Sequence, residues 1–506
     1  MDVMSTAGQG VPGGSNGHVP VVGAGQGASA AGAAAPGAGA GAPVTAGATP
    51  VASIAELVRG LRAGYDSGRT RGLEWRRKQL KAGIALVTEN EREILEALRV
   101  DLGKPALEGV MAEVSYTLGE ARFMLKKLAG WLRPRKVSTP MMAQPGKSVL
   151  VQEPLGVVCV IAPWNYPFQL AMVPALGALA AGNTVVLKPS EVSAATSNLF
   201  ARLVPRYFDA SAMRVVEGGV VETSALLEQR FDHIFYTGNG TVGRVVMAAA
   251  AKHLTPVTLE LGGKSPCYVD ASADLDVTAR RIAWGKFYNA GQTCVAPDYI
   301  LAHASVHDRL LEKLAATVKQ FYGADPQQSP DYGRVVNQRH HRRLMKLIGS
   351  GDVVVGGTGD EATRYLAPTV LKNVSPDSPV MAEEIFGPIL PVLKVSGPDE
   401  AISFVNRREK PLALYVFSGD RDVAEQFIAR TSSGGVTVNH AWLHLAVPEL
   451  PFGGVGESGM GAYHGQSTFD TFSHMKPVLK KPFMFDPSIL YPPYTEGKQK
   501  MIRKLL

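Results

Sequence analysis

The chain predicts an α/β fold in which a parallel sheet is covered by helices on both faces. Three observations carry that expectation. Short apolar strands at Val157 to Ala162, Thr184 to Leu187, Ile234 to Tyr236 and Val257 to Leu259 alternate with helical segments, the order that βαβ units require. A glycine cluster, Gly238-Asn239-Gly240-Thr241-Val242-Gly243, follows the third strand and opens an Ala-rich helix ending near His253. At 506 residues the chain also exceeds one ordinary core, so two or three domains are expected.

Composition narrows the class further. With 45% hydrophobic and 19% charged residues the chain reads as an ordinary globular protein, and no apolar run approaches the roughly 20 residues of a membrane span. The formal charge of +7 comes from scattered clusters, Arg76-Arg77-Lys78, Lys126-Lys127 and Arg133 to Lys136. Without interleaved aromatics these read as solvated faces and not as a nucleic-acid groove. Three cysteines without metal-type spacing argue for a reducing compartment, so the cytoplasm is expected and no metal site is. Cys159 and Cys267 lie in apolar strand-like runs and read as core positions, which leaves Cys294 as the candidate working thiol.

Residues 1–50 are almost entirely Gly, Ala, Pro, Val, Ser and Thr, and should be disordered because they lack the large apolar side chains that offset ordering entropy. They lack the basic start and apolar centre of a secretory signal. From Ser53 helical spacing takes over, through Ile54, Leu57, Val58 and Leu61, then Leu80, Ile84 and Val87, then Ile94, Leu95 and Leu98. Around 136–154 two extended stretches flank Pro145-Gly146, a hairpin signal. The four strands named above follow, with Asn165, Lys188 and the Gly238 cluster falling at strand ends, where such sheets bind ligands. A second α/β segment from about 262 to 440 holds Cys294 and the stretch Glu383-Glu384-Ile385-Phe386-Gly387-Pro388.

The glycine cluster fits the dinucleotide fingerprint, in which glycines let backbone approach a pyrophosphate at a helix N-terminus. That fingerprint expects an acid about 20 residues on to hold the ribose, and Glu260 falls near that place. A carboxylate near a cysteine can instead activate water, and a thiolate attacks carbonyl carbon readily. Glu260 therefore admits two readings, ribose ligand and general base.

Two segments resemble the paired signatures of the aldehyde dehydrogenase superfamily: Thr258-Leu259-Glu260-Leu261-Gly262-Gly263-Lys264-Ser265-Pro266 and Gly291-Gln292-Thr293-Cys294-Val295-Ala296-Pro297. The likeness runs over nearly the whole chain after about residue 55, and the match is to class 3, the fatty and aromatic aldehyde dehydrogenases. It implies the aldehyde dehydrogenase fold, with a Rossmann-like NAD(P)-binding domain at 51–135 and 155–259 and an α/β catalytic domain at 260–440. A bridging and dimerisation β-arm at 136–154 and 441–490 and a basic tail at 491–506 complete it, with a homodimer as the expected assembly.

The resemblance also implies the site. Cys294 is the nucleophile, Glu260 the base and Asn165, in Pro163-Trp164-Asn165-Tyr166-Pro167-Phe168, the oxyanion donor. Lys188 and Glu191 take the ribose, Gly238, Asn239 and Gly243 the pyrophosphate, and Glu384 and Phe386 the nicotinamide end; Leu261 is a further cofactor-binding residue, and Glu384 is the runner-up base. Asn239 stands where the family usually has Ser, and its amide can still donate to phosphate. The carboxylate of Glu191 favours NAD by repelling a 2′-phosphate, while class 3 relatives often accept NADP as well. Glu457 departs from the Asn or Ser common at its position, and His464 is either a substrate contact or structural.

The expected activity is NAD(P)-dependent oxidation of medium- or long-chain aliphatic or aromatic aldehydes to carboxylic acids. Trp164, Tyr166, Phe168, Trp284 and Phe287 suggest a hydrophobic funnel, although any core also uses such residues. A CoA-acylating dehydrogenase is one alternative, set against by the acid at Glu260, which acylating relatives lack. A non-catalytic NAD-binding structural protein is another, set against by the intact Cys294, Glu260 and Asn165. The basic, apolar end from Lys498 to Leu506 also suits a weak peripheral membrane contact.

Overall fold

The computed structural model describes residues 47–484 and 486–505. The tail expected to be disordered falls, up to residue 46, outside the described residues. Residues 47–50 depart from that expectation, because Thr49 is tied to the sheet edge: its N–H donates to Glu217 O at 3.0 Å, and its hydroxyl accepts from Glu217 N–H at 3.0 Å.

A helical layer comes first, as the apolar spacing predicts. Helices Val51–Asp66, Leu73–Glu89, Glu91–Leu102 and Tyr116–Trp131 bury stripes that include Ile54, Leu61, Leu80, Val87, Ile94 and Leu98. Helix Glu91–Leu102 stops at Gly103, whose φ of 58° places it in the left-handed region that glycine enters without strain. Within the cluster Arg76-Arg77-Lys78 one residue departs from the reading as a solvated face. Arg76 is buried, donating to Thr70 O and to Ala180 O at 3.3 Å each, where it complements the C-terminal dipole of helix Gln169–Ala181.

That helix lies against a six-stranded sheet ordered Met213–Val215, Thr184–Lys188, Val157–Ile161, His233–Thr237, Val257–Glu260 and Gly459–Met460. The first five strands run parallel, and Val157–Ile161, Thr184–Lys188 and His233–Thr237 are buried throughout, which explains their unbroken apolar runs. The last strand pairs antiparallel with the fifth, Gly459 opposite Glu260. The second sheet has seven strands, in the order Asp352–Val355, Thr369–Lys372, Ile389–Val395, Tyr299–His303, Pro266–Val269, Ala413–Phe417 and Gly435–Val438. Only Asp352–Val355 runs antiparallel in it. Cys159 and Cys267 are both fully buried in strands.

The arm is a three-stranded antiparallel sheet of Arg135–Val137, Lys147–Pro154 and Ser473–Lys480. The segment 441–490, expected to lie wholly in this arm, is divided. Gly459–Met460 extends the first sheet, helix Gly465–Thr471 docks so closely on helix Gln169–Ala181 that a methyl at Gly177 would lie 2.0 Å from Thr468, and only Ser473–Lys480 is arm. Glycine and aromatic residues in 450–465 gave no periodicity to separate these parts. The basic tail forms helix Glu496–Leu505, and no helix among the described residues is long and apolar enough to cross a membrane.

Candidate active site

Cys294 sits on the segment between the turn Tyr288–Gly291 and strand Tyr299–His303. That turn holds three consecutive left-handed residues, Asn289 at φ 52°, Ala290 at 50° and Gly291 at 72°. A methyl at Gly291 would lie 2.3 Å from Gly387 O, so the turn packs directly on the stretch that carries Glu384 and Phe386. Gln292 pins the turn, donating to Asn289 O (3.0 Å) and Arg334 O (2.9 Å) and accepting from Val336 N–H (2.9 Å). On either side of the cysteine, Thr293 pairs with the Tyr166 hydroxyl (2.6 Å) and Val295 O accepts from the Tyr415 hydroxyl (2.5 Å). Cys294 itself keeps partial solvent access in this frame.

Glu260 ends the fifth strand of the first sheet. Its backbone is held on both sides, with Gly238 N–H donating to its carbonyl at 3.0 Å and Gly459 opposite it. Its side chain is the reverse: 2% exposed, with neither carboxylate oxygen hydrogen-bonded. A buried polar group left without partners is rare and marks a place where chemistry or a ligand is to be accommodated. Burial pushes its carboxyl pKa well above the ordinary carboxylate range. Burial also pushes the Cys294 thiol up, and the negative charges of Glu384 and then Glu260 add to the effect, which brings all three groups into one electrostatic site.

Asn165 follows strand Val157–Ile161 and is buried, with its side-chain N–H donating to Gln292 O at 3.1 Å. It therefore reaches the Cys294 segment. Glu384 has its pKa pushed up to about 8 by burial and by Asp298, against the opposing influence of the Gly263 N–H, Lys264 and Lys286. A methyl at Gly262 would lie 2.0 Å from Glu384 Oε2, so the Leu261-Gly262-Gly263 turn is glycine because the carboxylate occupies that space. Lys264 secures the arrangement, donating to Asp298 (2.6 Å), Val380 O (2.7 Å) and Glu383 O (3.0 Å). Phe386, at a left-handed φ of 48°, packs edge-on to Trp164 at 5.2 Å.

The strand ends next to this site form a cradle. Lys188 closes strand Thr184–Lys188, buried at 2% exposure, and donates to Pro189 O (2.7 Å) with Glu191 3.5 Å away. The Glu191 side chain is 42% exposed, open to a ligand. Helix Gly240–Ala251 presents its N-terminus here, and Asn239 is its N-cap, accepting from Val242 N–H at 3.0 Å. The Asn239 oxygen is thereby engaged and its amide N–H2 left to donate outward. Gly243 lets the helix approach Leu261, since a methyl there would lie 3.0 Å from that side chain. A helix N-terminus, glycine close approach and an exposed carboxylate beside a buried lysine fit a dinucleotide.

The sequence profile of the aldehyde dehydrogenase family matches residues 45–478. The chain belongs to the aldehyde dehydrogenase family. It is 53% identical over 445 residues to the rat "aldehyde dehydrogenase, dimeric NADP-preferring", covering 88% of this chain and 98% of that protein. It is 53% identical over 440 residues to mouse "aldehyde dehydrogenase family 3 member A2", covering 87% and 91%. Among solved structures it is similar to the substrate-bound AldH of Staphylococcus aureus, with a TM-score of 0.87 and 46% identity over 89% of this chain and 98% of that one. Class 3 likeness and NAD(P)-dependent oxidation of aldehydes follow for this family member.

The aromatic residues named for a funnel separate in this aldehyde dehydrogenase. Phe168 and Phe287 are fully buried, Phe168 stacking on Phe200 at 5.2 Å, and both belong to the core. Trp284 stacks on Trp442 at 4.2 Å, and Tyr288 lies edge-on to Trp442 at 5.1 Å, an aromatic wall that no local sequence pattern pairs. His464 is buried, stacks on Phe452 at 5.0 Å, and has its pKa pushed down to about 3 by burial. Glu457, left without a reading from sequence, pairs with Arg244 on the N-terminal turn of the cofactor-cradle helix at 2.7 and 2.5 Å. Also unforeseen were Lys104, Glu113 and Asn289, which no local motif marks.

Proposed function

We propose that this enzyme oxidises medium- or long-chain aliphatic or aromatic aldehydes to free carboxylic acids, with Cys294 as nucleophile, Glu260 as base and Asn165 as oxyanion donor. The observation that carries the reading is the Glu260 carboxyl, buried and without a partner beside a thiol that its charge perturbs. Burial opposes ionisation of the thiol, so its proton has to be taken as the sulfur attacks. Glu260 is the acceptor for that proton, because Glu384 is occupied by Gly263 N–H and by the Lys264 and Lys286 charges. The sulfur then bonds to the carbonyl carbon, and the oxygen takes the electron pair, facing Asn165 Nδ2 and the Cys294 N–H. The chemistry that bound NAD(P) supplies is acceptance of the hydride from that carbon, which converts the sulfur adduct to a thioester. Glu260 passes the thiol's proton to solvent and then takes a proton from water as the water oxygen bonds to the acyl carbon; the C–S bond breaks, the carboxylic acid leaves, and Glu260 returns the proton to the Cys294 sulfur.

Lys188 and Glu191 hold the ribose in this reading, Gly238, Asn239 and Gly243 the pyrophosphate, and Leu261, Glu384 and Phe386 the nicotinamide end. NAD suits Glu191, and Lys188 3.5 Å away offsets its charge enough for NADP to be accepted as well. The Trp284–Trp442–Tyr288 wall supports an apolar substrate. The arm supports a homodimer, since Val137, Met141, Met142, Met475 and Leu479 are exposed together on it. A kinetic series from acetaldehyde through hexanal and benzaldehyde to a long-chain aldehyde, each with NAD and NADP, tests the substrate class. Higher kcat/KM for the larger aldehydes is expected, and a preference for acetaldehyde would contradict it.

A further inference from the structure

Behind Asn165 lies a buried ion pair that none of these steps uses. Glu113 occupies a π-helical turn, Val110–Ser115, in the helical run that leads to Trp131, and it is fully buried with Lys104. Single π turns are rare and concentrate at functional sites. Lys104 Nζ donates to Glu113 Oε1 at 2.5 Å and to the backbone carbonyl of Asn165 at 3.1 Å, and lies 4.2 Å from the centre of the Tyr166 ring. The other Glu113 oxygen accepts from Phe168 N–H (3.1 Å) and Gln169 N–H (2.9 Å). The pair therefore grips the Asn165 segment at both ends. Asn289 adds a third hold: its side-chain amide donates to Asn165 O at 2.9 Å and to Gln292 O at 3.1 Å. That Gln292 carbonyl is also the one Asn165 Nδ2 contacts.

We propose that Lys104, Glu113 and Asn289 are positioning residues that fix the Asn165 amide against the Cys294 segment, so that the oxyanion site is formed before substrate arrives. The proposal rests on reading Asn165 as the oxyanion donor. An apolar pair of similar volume would fill the same space without stripping two charges of water, but it could not donate to a backbone carbonyl. Directional hold is what the ion pair adds. A donor aimed at developing charge acts fully only if it is fixed in advance, and a misplacement of about 1 Å can lower a rate about a hundredfold.

The test combines Lys104→Met and Asn289→Gly, each alone and with Asn165→Ala. Glycine at 289 accommodates the left-handed φ of 52° and removes the side chain that carries the amide donor, so it serves if Lys104→Met does not fold. The readouts are the pre-steady-state burst of NADH, kcat and KM for the aldehyde, NAD binding by fluorescence quenching, and thermal midpoint. Each variant should slow the burst about tenfold or more while NAD affinity stays within about twofold, and should lose most of that effect when Asn165 is already alanine. Equal losses in both backgrounds, or a lowered thermal midpoint with an unchanged burst, would overturn the proposal alone. An unchanged burst in Asn165→Ala itself would overturn the oxyanion reading and the proposal with it.

Discussion

At the scale of the residue, the site is governed by burial working against charge. Glu260 is raised by burial, so it is protonated at low pH and becomes a base only as pH rises. Thioester hydrolysis should therefore accelerate as pH rises above the ordinary carboxylate range, and single-turnover kinetics of Glu260→Gln should show that rise abolished, with hydrolysis slowed by about 10²- to 10⁴-fold. Asn165→Ala should raise the barrier to acylation by roughly 2.7 to 4 kcal/mol, read from the NADH burst. Both residues were legible in the sequence because each lies in a contiguous motif next to a strand end. Lys104 and Glu113 were not. Their partners lie 61 and 55 positions away along the chain, and no local motif marks the lysine or the acid as a pair.

At the scale of the element, the cofactor cradle depends on one cap and two close approaches. Asn239→Ala removes the acceptor for Val242 N–H and should destabilise helix Gly240–Ala251 by about 1 kcal/mol while raising the KM for NAD; Asn239→Ser should restore both. Gly262→Ala should displace the Glu384 carboxylate and lower kcat more than NAD affinity. The parallel strands were readable from their apolar runs, since strands buried on both faces show no alternation. The antiparallel edge strand Gly459–Met460 was hidden by its length and by glycines, and only its pairing with Leu259–Glu260 shows that it braces the backbone of Glu260.

At the scale of the whole molecule, the buried acids set a pH-dependent stability. Burial pushes Glu108 up to about 8 even though Asn289 N–H and Lys104 oppose it. Its folded form holds a proton that the unfolded chain releases near 4.5, so the stability it contributes is present below that value and lost as pH rises through about 8. Thermal midpoints of Glu108→Gln should fall less between those limits than those of the unchanged protein. The arm makes a second whole-molecule expectation. If the arm forms the proposed homodimer, Leu479→Glu, at a position 55% exposed among other apolar side chains, should shift sedimentation from dimer to monomer with the cofactor cradle intact. Composition and motif order made the two-sheet architecture legible, whereas the division of 441–490 between sheet, helix and arm was set by contacts distant in sequence.

The central claim is that Cys294 and Glu260 form a nucleophile and a deacylating base that release a free acid. The most direct measurement is intact and peptide mass spectrometry of Glu260→Gln, quenched during turnover with hexanal and NAD, alongside its NADH burst. A burst near one NADH per site, a slow steady state, and an acyl group carried on the Cys294 peptide are expected. Steady turnover at the rate of the unchanged enzyme, with no acyl group on that peptide, would contradict it.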